Sequence, residues 1–288
     1  MLKLISTPAP AKINLFLRVT GRRADGYHEL DSLFVPIALC DRVAIAIRSA
    51  TAPSVSLRCD TLGLGPGDQN LAVRAARAFM DAFAIAADVR IDLRKTIPAG
   101  AGLGGGSSDA GAILRMMAQI CHVTDRARLA AIAVKLGADV LFFLDPVPAR
   151  VRGIGELIER LDQFAPLEIV IAVPPLTVAT AEVFKRLPRE AWSGPVSSST
   201  VDAITSGRIE ADHLVNDLAG VAKARWPVIA ELETALAQAG AIAATMSGSG
   251  GAVFGVFTTA SEATRAAEQI RRRNPAARVF ATTTLSHL

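Results

Sequence analysis

A glycine-rich segment is the part of this 288-residue sequence with the clearest chemical meaning. It reads Pro98-Ala-Gly-Ala-Gly-Leu-Gly-Gly-Gly-Ser-Ser108, and a pattern with helical spacing follows it. Glycines let the backbone approach a ligand closely and adopt positive φ. Amides at the start of the following helix lack intrahelical partners and attract anions. The segment therefore predicts a phosphate-binding loop. The alternative is a serine-capped flexible turn, which five glycines make costly in chain entropy.

Two common nucleotide-binding motifs do not explain this loop. Gly100–Gly105 matches the GxGxxG dinucleotide pattern, and the acidic Asp125 lies about twenty positions further on, where that motif requires one. However, Asp125 falls between two predicted helices and not after a second parallel strand, so the match is weak. No Gly-Lys-Ser or Gly-Lys-Thr occurs, which excludes a Walker loop. Binding of ATP would therefore use a non-Walker loop.

Strands and helices alternate around this loop. Alternating apolar and polar residues predict strands at Ala11–Val19, Asp41–Arg48, Ser54–Arg58 and Val89–Leu93. A 3.6-residue period predicts helices at Asp68–Phe83 with Asp68 as cap, at Ser107–Cys121 and at Asp125–Leu136. Beyond a proline-rich stretch at 174–199, preceded by a strand at Leu167–Val173, we predict helices at Leu214–Ala224, Val228–Ala239 and Ser261–Arg273, and strands at Ala241–Met246, Ala252–Phe257 and Arg278–Thr284. The pattern predicts two α+β domains, at residues 1–155 and 156–288.

The composition is typical of a folded protein without a membrane span. Hydrophobic residues make up 51% of the chain, but no run approaches 18 uninterrupted apolar residues. The N-terminus lacks the apolar core and cleavage site of a signal peptide. Three widely spaced cysteines fit neither a disulfide framework nor a zinc site. A net charge of +4 with only 5% aromatic residues argues against nucleic-acid binding, and we expect a cytoplasmic protein.

Motifs spread along nearly the whole chain carry a family resemblance. The loop resembles the phosphate loop of the galactokinase–homoserine kinase–mevalonate kinase–phosphomevalonate kinase superfamily. Within that superfamily, Pro10–Leu17 and Gly21–His28 resemble the 4-diphosphocytidyl-2-C-methyl-D-erythritol kinase family. The remaining motifs follow in the expected order at Leu136–Val140, Gly153–Glu156, Asn216–Leu218 and Met246–Phe254. The resemblance implies a two-domain α+β small-molecule kinase with its active site in the cleft between the domains.

The resemblance also implies a reaction and its participants. The expected activity is ATP-dependent phosphorylation of the 2-hydroxyl of the cytidylyl sugar alcohol, in the non-mevalonate isoprenoid precursor pathway. The expected cofactors are ATP and Mg²⁺, which bridges and neutralises the β- and γ-phosphates. The expected partner is this small-molecule cytidylyl substrate, with no nucleic acid or membrane, and the chain would be a monomer or weak homodimer.

Lys12 and Asp139 match the catalytic pair of the family. A carboxylate beside an alcohol can accept its proton while the bond to phosphorus forms. An ammonium can lower the pKa of the hydroxyl and offset charge on the transferring phosphoryl group. On pattern alone, Lys12 would be a solvent-facing strand residue and Asp139 a helix N-cap.

Further positions match binding residues of the family. The predicted ATP-binding residues are Pro98, Ala99, Gly100, Ala101, Gly102, Leu103, Gly104, Gly105, Gly106, Ser107, Ser108, Asn70 and Lys95. The predicted substrate-binding residues are Asn14, Tyr27, His28, Thr180 and Phe184, with His28 and Phe184 at the positions that stack on cytosine. No protein ligand of the metal is assigned, and Ser107 is the candidate. The loop Ser247–Gly251 is expected to close the site.

Two positions depart from the family pattern. Leu141 stands where proline usually follows Gly-Ala-Asp-Val, which leaves the carboxylate of Asp139 in place but can loosen its position. Asp109 stands where some relatives have asparagine, so it brings an extra negative charge toward ATP, where it could cap the helix or contact the metal.

Three other functions stay open at this point. A superfamily enzyme acting on homoserine, mevalonate or a sugar is the closest alternative, and Gly26-Tyr27-His28 disfavours it. A catalytically inactive ligand sensor is disfavoured by the presence of both Lys12 and Asp139. A nicotinamide oxidoreductase is the most distant alternative.

Overall fold

The computed structural model describes residues 2–61 and 67–287, which pack into two units. The described residues of 1–11, 39–97 and 104–146 form the first unit, and those of 12–38, 98–103 and 147–288 form the second. Two long strands, β1 (Lys3–Arg22) and β2 (His28–Ser49), pair with each other and contribute residues to both units. The domain division at residue 155 stays a prediction.

The first unit contains helices and strands in nearly equal number. In chain order, its further elements are β3 (Ser54–Cys59), α1 (Leu71–Phe83), β4 (Ala87–Arg94), α2 (Gly105–Cys121) and α3 (Arg126–Leu136). Strand β4 pairs antiparallel with the second half of β2, with Arg94 opposite Arg42, and it pairs parallel with β3. The apolar side of β4 packs into a core formed with the three helices.

Small residues and caps explain how these helices form and pack. The buried face of α1 repeats every three to four residues through Ala72, Ala76 and Phe79, as an amphipathic helix requires. Helix α1 was predicted to begin at Asp68; it begins at Leu71 because Asn70 is the cap, its Oδ1 accepting from the Ala72 amide at 2.9 Å. Helix α2 begins two residues before the predicted Ser107.

The second unit is built around a four-stranded sheet. In chain order, its elements are β5 (Ala149–Gly153), β6 (Leu157–Arg160), β7 (Glu168–Val173), α4 (Thr180–Arg186), α5 (Ser198–Thr205), α6 (Ala219–Arg225), α7 (Val228–Gln238), β8 (Ala243–Met246), β9 (Val253–Phe257), α8 (Ala260–Arg273) and β10 (Arg278–Thr283). The sheet order is β10-β7-β9-β8, every neighbouring pair is antiparallel, and α7 and α8 pack against it. The first half of β2 pairs with β5, and β5 pairs with β6.

The structure corrects parts of the predicted element list in this unit. Strands β5 and β6 were not predicted, and the proline-rich stretch contains α4 and the start of α5. The prediction of a helix from Leu214 is wrong over its first turn, since α6 begins at Ala219. There, Asn216 donates from Nδ2 to the carbonyls of Met246 and Gly248, both at 2.8 Å, which holds the segment in a non-helical path. Among the described helices, none is long and apolar enough to cross a membrane.

Candidate active site

In the first unit, helix α2 starts directly after the glycine loop. Its N-cap is Gly104, with φ +72° and no side-chain cap, so the first amides of this 17-residue helix have no capping side chain. The buried Ser108 Oγ and Asp109 Oδ1 lack hydrogen-bond partners in the part of the chain that the structure describes. A helix N-terminus with free amides and an unpartnered hydroxyl fits a phosphate group.

In the second unit, the start of the glycine loop packs backbone against backbone. The Ala252 amide donates to the Ala101 carbonyl at 2.9 Å, and Ser247 Oγ donates to the Gly102 carbonyl at 3.2 Å. Gly102 has φ +77°, and a Cβ there would overlap the Ser247 carbonyl oxygen. The loops 98–103 and 247–251 can approach this closely only because glycines meet there. The contact supports the expected role of Ser247–Gly251 beside the phosphate loop.

Lys12 lies on β1 in the second unit, and its side chain is buried and hydrogen-bonded. Its backbone amide donates to the Leu103 carbonyl of the glycine loop at 2.9 Å. Its ammonium donates to Asn14 Oδ1 at 2.7 Å and lies 4.7 Å from the centre of the Phe34 ring. Asn14 in turn donates from Nδ2 to Ser32 Oγ at 2.9 Å. The solvent-facing interpretation of Lys12 is therefore wrong, because the hydrogen bonds of Asn14 hold the ammonium in the interior.

A second set of contacts joins the remaining predicted substrate residues. The backbone N–H of Asn14 donates to Ser247 Oγ at 3.4 Å, and in the same loop Ser249 Oγ shares a 2.7 Å hydrogen bond with Thr180 Oγ1. Thr180 begins α4, and Phe184 follows it by one helical turn, so both side chains lie on one face of the helix. The structure thus brings Lys12, Asn14, Thr180 and Phe184 together within one unit.

His28 extends this set and stacks directly on Phe184. The ring centroids are 5.2 Å apart with 30° between the planes. A base between the two rings would need about 7 Å, two stacking contacts of about 3.5 Å each. A bound base therefore lies on an outer face of the pair, or the rings separate to admit it. Burial, and then the positive charge of Arg22, lower the pKa of His28, which favours the neutral ring. Tyr27 is 63% exposed.

Beside these rings lies a cavity of about 440 Å³. Three aromatic rings and three cationic side chains dominate its lining: His28, Phe184, Trp192, Arg22, Lys185 and Arg189. Gly26, Ala181 and Leu187 complete it. The volume lies within the usual range for a small-molecule site, and its charge favours an anion.

Asp139 lies in the first unit, half-buried in the turn that follows α3. The turn is fixed against α2 at Phe143, whose carbonyl accepts from the Arg115 guanidinium. A Cβ at Gly111 of α2 would lie 2.6 Å from Phe143 Cβ, so only glycine permits this packing. Leu141, the departure from the family proline, packs on the core of the unit. Asp139 and the start of α2 are thus held in one frame, while its approach to Lys12, in the other unit, stays a prediction.

Lys95 and Asp109 form a buried ionic group with Asp41 in the first unit. The Lys95 ammonium is 2.6 Å from Asp109 Oδ2 and also contacts Asp41, and its side chain is 7% exposed. Asp41 accepts from the amides of Thr96 and Ile97 at 2.6 and 2.9 Å. Burial raises the pKa of Asp109 to about 7, against the attraction of Lys95 and with help from Asp41. Asp109 therefore shares the single positive charge of Lys95 with Asp41, which together with burial favours its protonated form. It does not cap the helix, whose N-cap is Gly104.

Asn70 and Ser107 are two further predicted site residues, and both lie in the first unit. Asn70 Oδ1 is engaged as the cap of α1. Ser107, the candidate metal ligand, is half-buried in the first turn of α2. In the described part of the chain, the one group of three metal-ligand side chains within reach of a shared ion is Glu210, Asp212 and His213, and there the His213 ring accepts from the Glu210 amide.

Several residues of the site were missed by sequence reasoning. Ser32 carries no pattern of its own and enters only through its hydrogen bond with Asn14, while Ser249 lies in the predicted loop but its bond to Thr180 was not foreseen. A signal did exist for Gly111, since an isolated glycine inside a helical pattern indicates a close contact.

Several known proteins are similar to this chain in sequence and in fold. Residues 70–145 match the family model of the GHMP kinases N terminal domain, and residues 204–276 match that of the GHMP kinases C terminal. The chain is 43% identical over 272 residues to the 4-diphosphocytidyl-2-C-methyl-D-erythritol kinase of Anaeromyxobacter dehalogenans, covering 93% of this chain and 85% of that one. It is 39% identical over 277 residues to the enzyme of the same name from Citrifermentans bemidjiense, covering 94% and 96%.

A solved structure agrees with these relatives. The crystal structure of a 4-(cytidine 5'-diphospho)-2C-methyl-D-erythritol kinase superposes with a TM-score of 0.83 at 36% identity, over 97% of this chain and 99% of that one. These comparisons confirm the predicted superfamily fold and the family to which the sequence motifs pointed. Identity of this level along nearly the whole length shows that the chain belongs to the 4-diphosphocytidyl-2-C-methyl-D-erythritol kinase family of the GHMP kinases.

Proposed function

We propose that this kinase transfers the γ-phosphoryl group of ATP to the 2-hydroxyl of 4-diphosphocytidyl-2-C-methyl-D-erythritol and releases ADP, in the non-mevalonate isoprenoid precursor pathway. One observation supports this substrate above others. In the second unit, hydrogen bonds link Lys12 to Asn14 and Asn14 to Ser247, and another links Ser249 of the same loop to Thr180. Phe184 lies one turn along the helix from Thr180 and stacks on His28. A cation for phosphoryl transfer and aromatic rings for a base thus lie within the same unit.

The loop residues fit ATP as the phosphoryl donor. Residues 98–108 would hold its phosphates on left-handed glycines and helix amides, and the Ser108 hydroxyl, which has no partner among the described residues, would be a further donor. When bound, ATP supplies the phosphoryl group, and Mg²⁺ neutralises its β- and γ-phosphates, with Ser107 the proposed protein ligand. Asn70 and Lys95 would border the nucleoside, although Asn70 Oδ1 already caps α1 and the Lys95 ammonium already pairs with Asp41 and Asp109.

Lys12 and Asp139 carry the chemistry in this proposal. The Asp139 carboxylate accepts the proton of the substrate hydroxyl as the bond to phosphorus forms. The Lys12 ammonium stabilises the negative charge that develops on the transferring group. Because Asn14 and the Phe34 ring already fix the ammonium, little reorganisation is needed during the reaction. Asn14 and Thr180 position the acceptor, and His28, Phe184 and Tyr27 contact its cytosine.

The cytidylyl sugar alcohol is the proposed partner, and no nucleic acid is required. A monomeric or weakly dimeric state and a cytoplasmic location stay predictions.

Release of ADP with a panel of alcohols tests the substrate directly. The purified protein is incubated with ATP and Mg²⁺ and with the cytidylyl substrate, homoserine, mevalonate or a sugar in turn. The proposal predicts turnover with the cytidylyl substrate alone, and phosphorus NMR should place the new phosphate on the 2-hydroxyl. Turnover with another alcohol would support a different superfamily activity, and binding without ADP release would support a ligand sensor.

A further inference from the structure

Trp192 lies at the edge of the aromatic group in the second unit. Its ring meets His28 edge to face, with centroids 5.6 Å apart and 88° between the planes. The Arg189 guanidinium lies 5.9 Å from the centre of the same indole. Trp192 Nε1 is buried and has no acceptor among the described residues. An indole nitrogen only donates, and leaving such a donor unsatisfied costs free energy.

Two buried carboxylates hold the segment that carries Trp192. Asp217 accepts from the Ser193 hydroxyl at 2.5 Å and from the Ser193 amide at 3.1 Å. Asp31 accepts from the Val196 amide at 2.7 Å and forms a two-point ion pair with Arg150. Between these anchors, Gly194 has φ +72°, which reverses the chain without strain. Trp192 is therefore placed by the fold.

The charge of the adjoining cavity complements this placement. Arg22, Lys185 and Arg189 bring three positive charges, and in the described part of the chain no acidic residue lines the cavity. Cations without a carboxylate partner favour an anionic ligand, and the three rings favour a flat one. A nucleoside diphosphate has both properties.

We propose that Trp192 and Arg189 complete a binding site for the pyrimidine nucleoside diphosphate part of the substrate. Trp192 closes one side of the site against His28 and donates its indole N–H to an oxygen of the ligand. Arg189, with Arg22 and Lys185, neutralises the diphosphate. This inference rests on the proposed function for the identity of the base, and it adds residues that the family motifs do not include.

Fluorescence with cytidine 5'-diphosphate as the probe tests the site without catalysis. The chain has two tryptophans, so Trp226→Phe leaves Trp192 as the single reporter. Saturable quenching or a spectral shift of this variant by the probe is the expected result. The reciprocal variant, Trp192→Phe, should show no such change. An unchanged Trp192 emission, in a protein that calorimetry shows to bind the probe, would overturn the proposal.

Affinities provide the second readout. Trp192→Phe keeps a ring but loses the N–H, and it should weaken probe binding and raise KM for the cytidylyl substrate by about 5- to 20-fold, since base–aromatic contacts contribute on this scale. KM for ATP should not change. Arg189→Gln should weaken binding most at low salt. Trp226→Phe and Arg186→Gln are matched controls, because Arg186 is not among the residues that line the cavity.

The outcomes separate this inference from the proposed function. Probe binding that depends on Trp192, in a protein that releases no ADP with the cytidylyl substrate, would leave the site standing and remove the activity. Normal turnover with unchanged probe affinity in both Trp192→Phe and Arg189→Gln would support the proposed activity and remove the proposed roles of Trp192 and Arg189.

Discussion

The Lys12 ammonium donates to Asn14 Oδ1 at 2.7 Å, and the two residues are only 3% and 1% exposed. They lie two positions apart on β1, so their side chains point to the same face of the strand. A buried ammonium with a fixed partner keeps its position at little further cost in side-chain entropy. This relationship makes Lys12 a preorganised charge in the proposed phosphoryl transfer.

Replacement of Lys12 by methionine removes this charge while keeping most of the side-chain volume. We expect Lys12→Met to fold and to lose about 10²- to 10³-fold in kcat, the usual loss when a preorganised donor is removed. Steady-state kinetics with both substrates saturating measures it. Lys135→Met, on an exposed position of α3, is the control and should retain full activity. Retention of full rate in Lys12→Met would remove the charge-stabilising role.

Two glycines of the phosphate loop should respond oppositely to alanine. Gly102→Ala forces a Cβ onto the Ser247 carbonyl at φ +77°, which strains the backbone by about 1–2 kcal/mol before any clash is counted. Gly106→Ala lies inside α2 with Leu71 Cδ1 as the nearest atom at 3.6 Å, and it should gain up to about 1 kcal/mol in helix propensity. Urea unfolding compares the two variants, and equal stabilities would contradict the packing of loops 98–103 and 247–251.

The pKa of Asp109 predicts a pH-dependent stability. Burial raises it to about 7, above the ordinary value of 3.8, so the folded protein binds an extra proton between those two pH values. The free energy of unfolding therefore falls as pH rises through this range. Asp109→Asn cannot titrate, so its stability relative to wild type should increase from about pH 5 to about pH 8. Urea unfolding at the two pH values measures the difference. Parallel pH profiles for the two proteins would show that Asp109 keeps its ordinary pKa.

Removal of the His28 ring separates substrate binding from ATP binding. We expect His28→Ala to raise KM for the cytidylyl substrate, by a factor of about 5 or more, because a stacking surface for the base and the contacts to Phe184 and Trp192 are lost. KM for ATP should change little. Replacement of His287, an exposed residue near the C-terminus, is the control. Equal effects on both KM values would count against a base-binding role.

Local features of the site could be predicted from the sequence, and long-range partners could not. The glycine loop and the start of α2 depend on neighbouring residues, so their pattern was visible. The role of Asp109 depends on Lys95 at the end of β4 and on Asp41 in β2, which meet it only after the fold forms. From the sequence alone, Asp109 was expected either to cap the helix or to contact the metal.

The same distinction applies to the secondary structure. The alternation at Asp41–Arg48 predicted only the end of β2, because Pro36 interrupts the strand pattern before it. The motif at Asn216 was found, but its side-chain bonds to Met246 and Gly248 come from a distant loop and end the predicted helix. Trp192 lies in a stretch whose prolines indicated a loop, so its contact with His28 had no local signal.

Transfer of radioactive phosphate from γ-labelled ATP to the cytidylyl substrate, compared in wild type and Asp139→Asn, shows whether this kinase phosphorylates that substrate with Asp139 as the general base. Asp81→Asn, on an exposed position of α1, is the control. The wild type and the control should form labelled product, while Asp139→Asn should fold normally and form it about 10²- to 10⁴-fold more slowly, the usual contribution of a general base. Absence of labelled product from the wild type would rule out the proposed reaction, and near-native turnover in Asp139→Asn would rule out Asp139 as its general base.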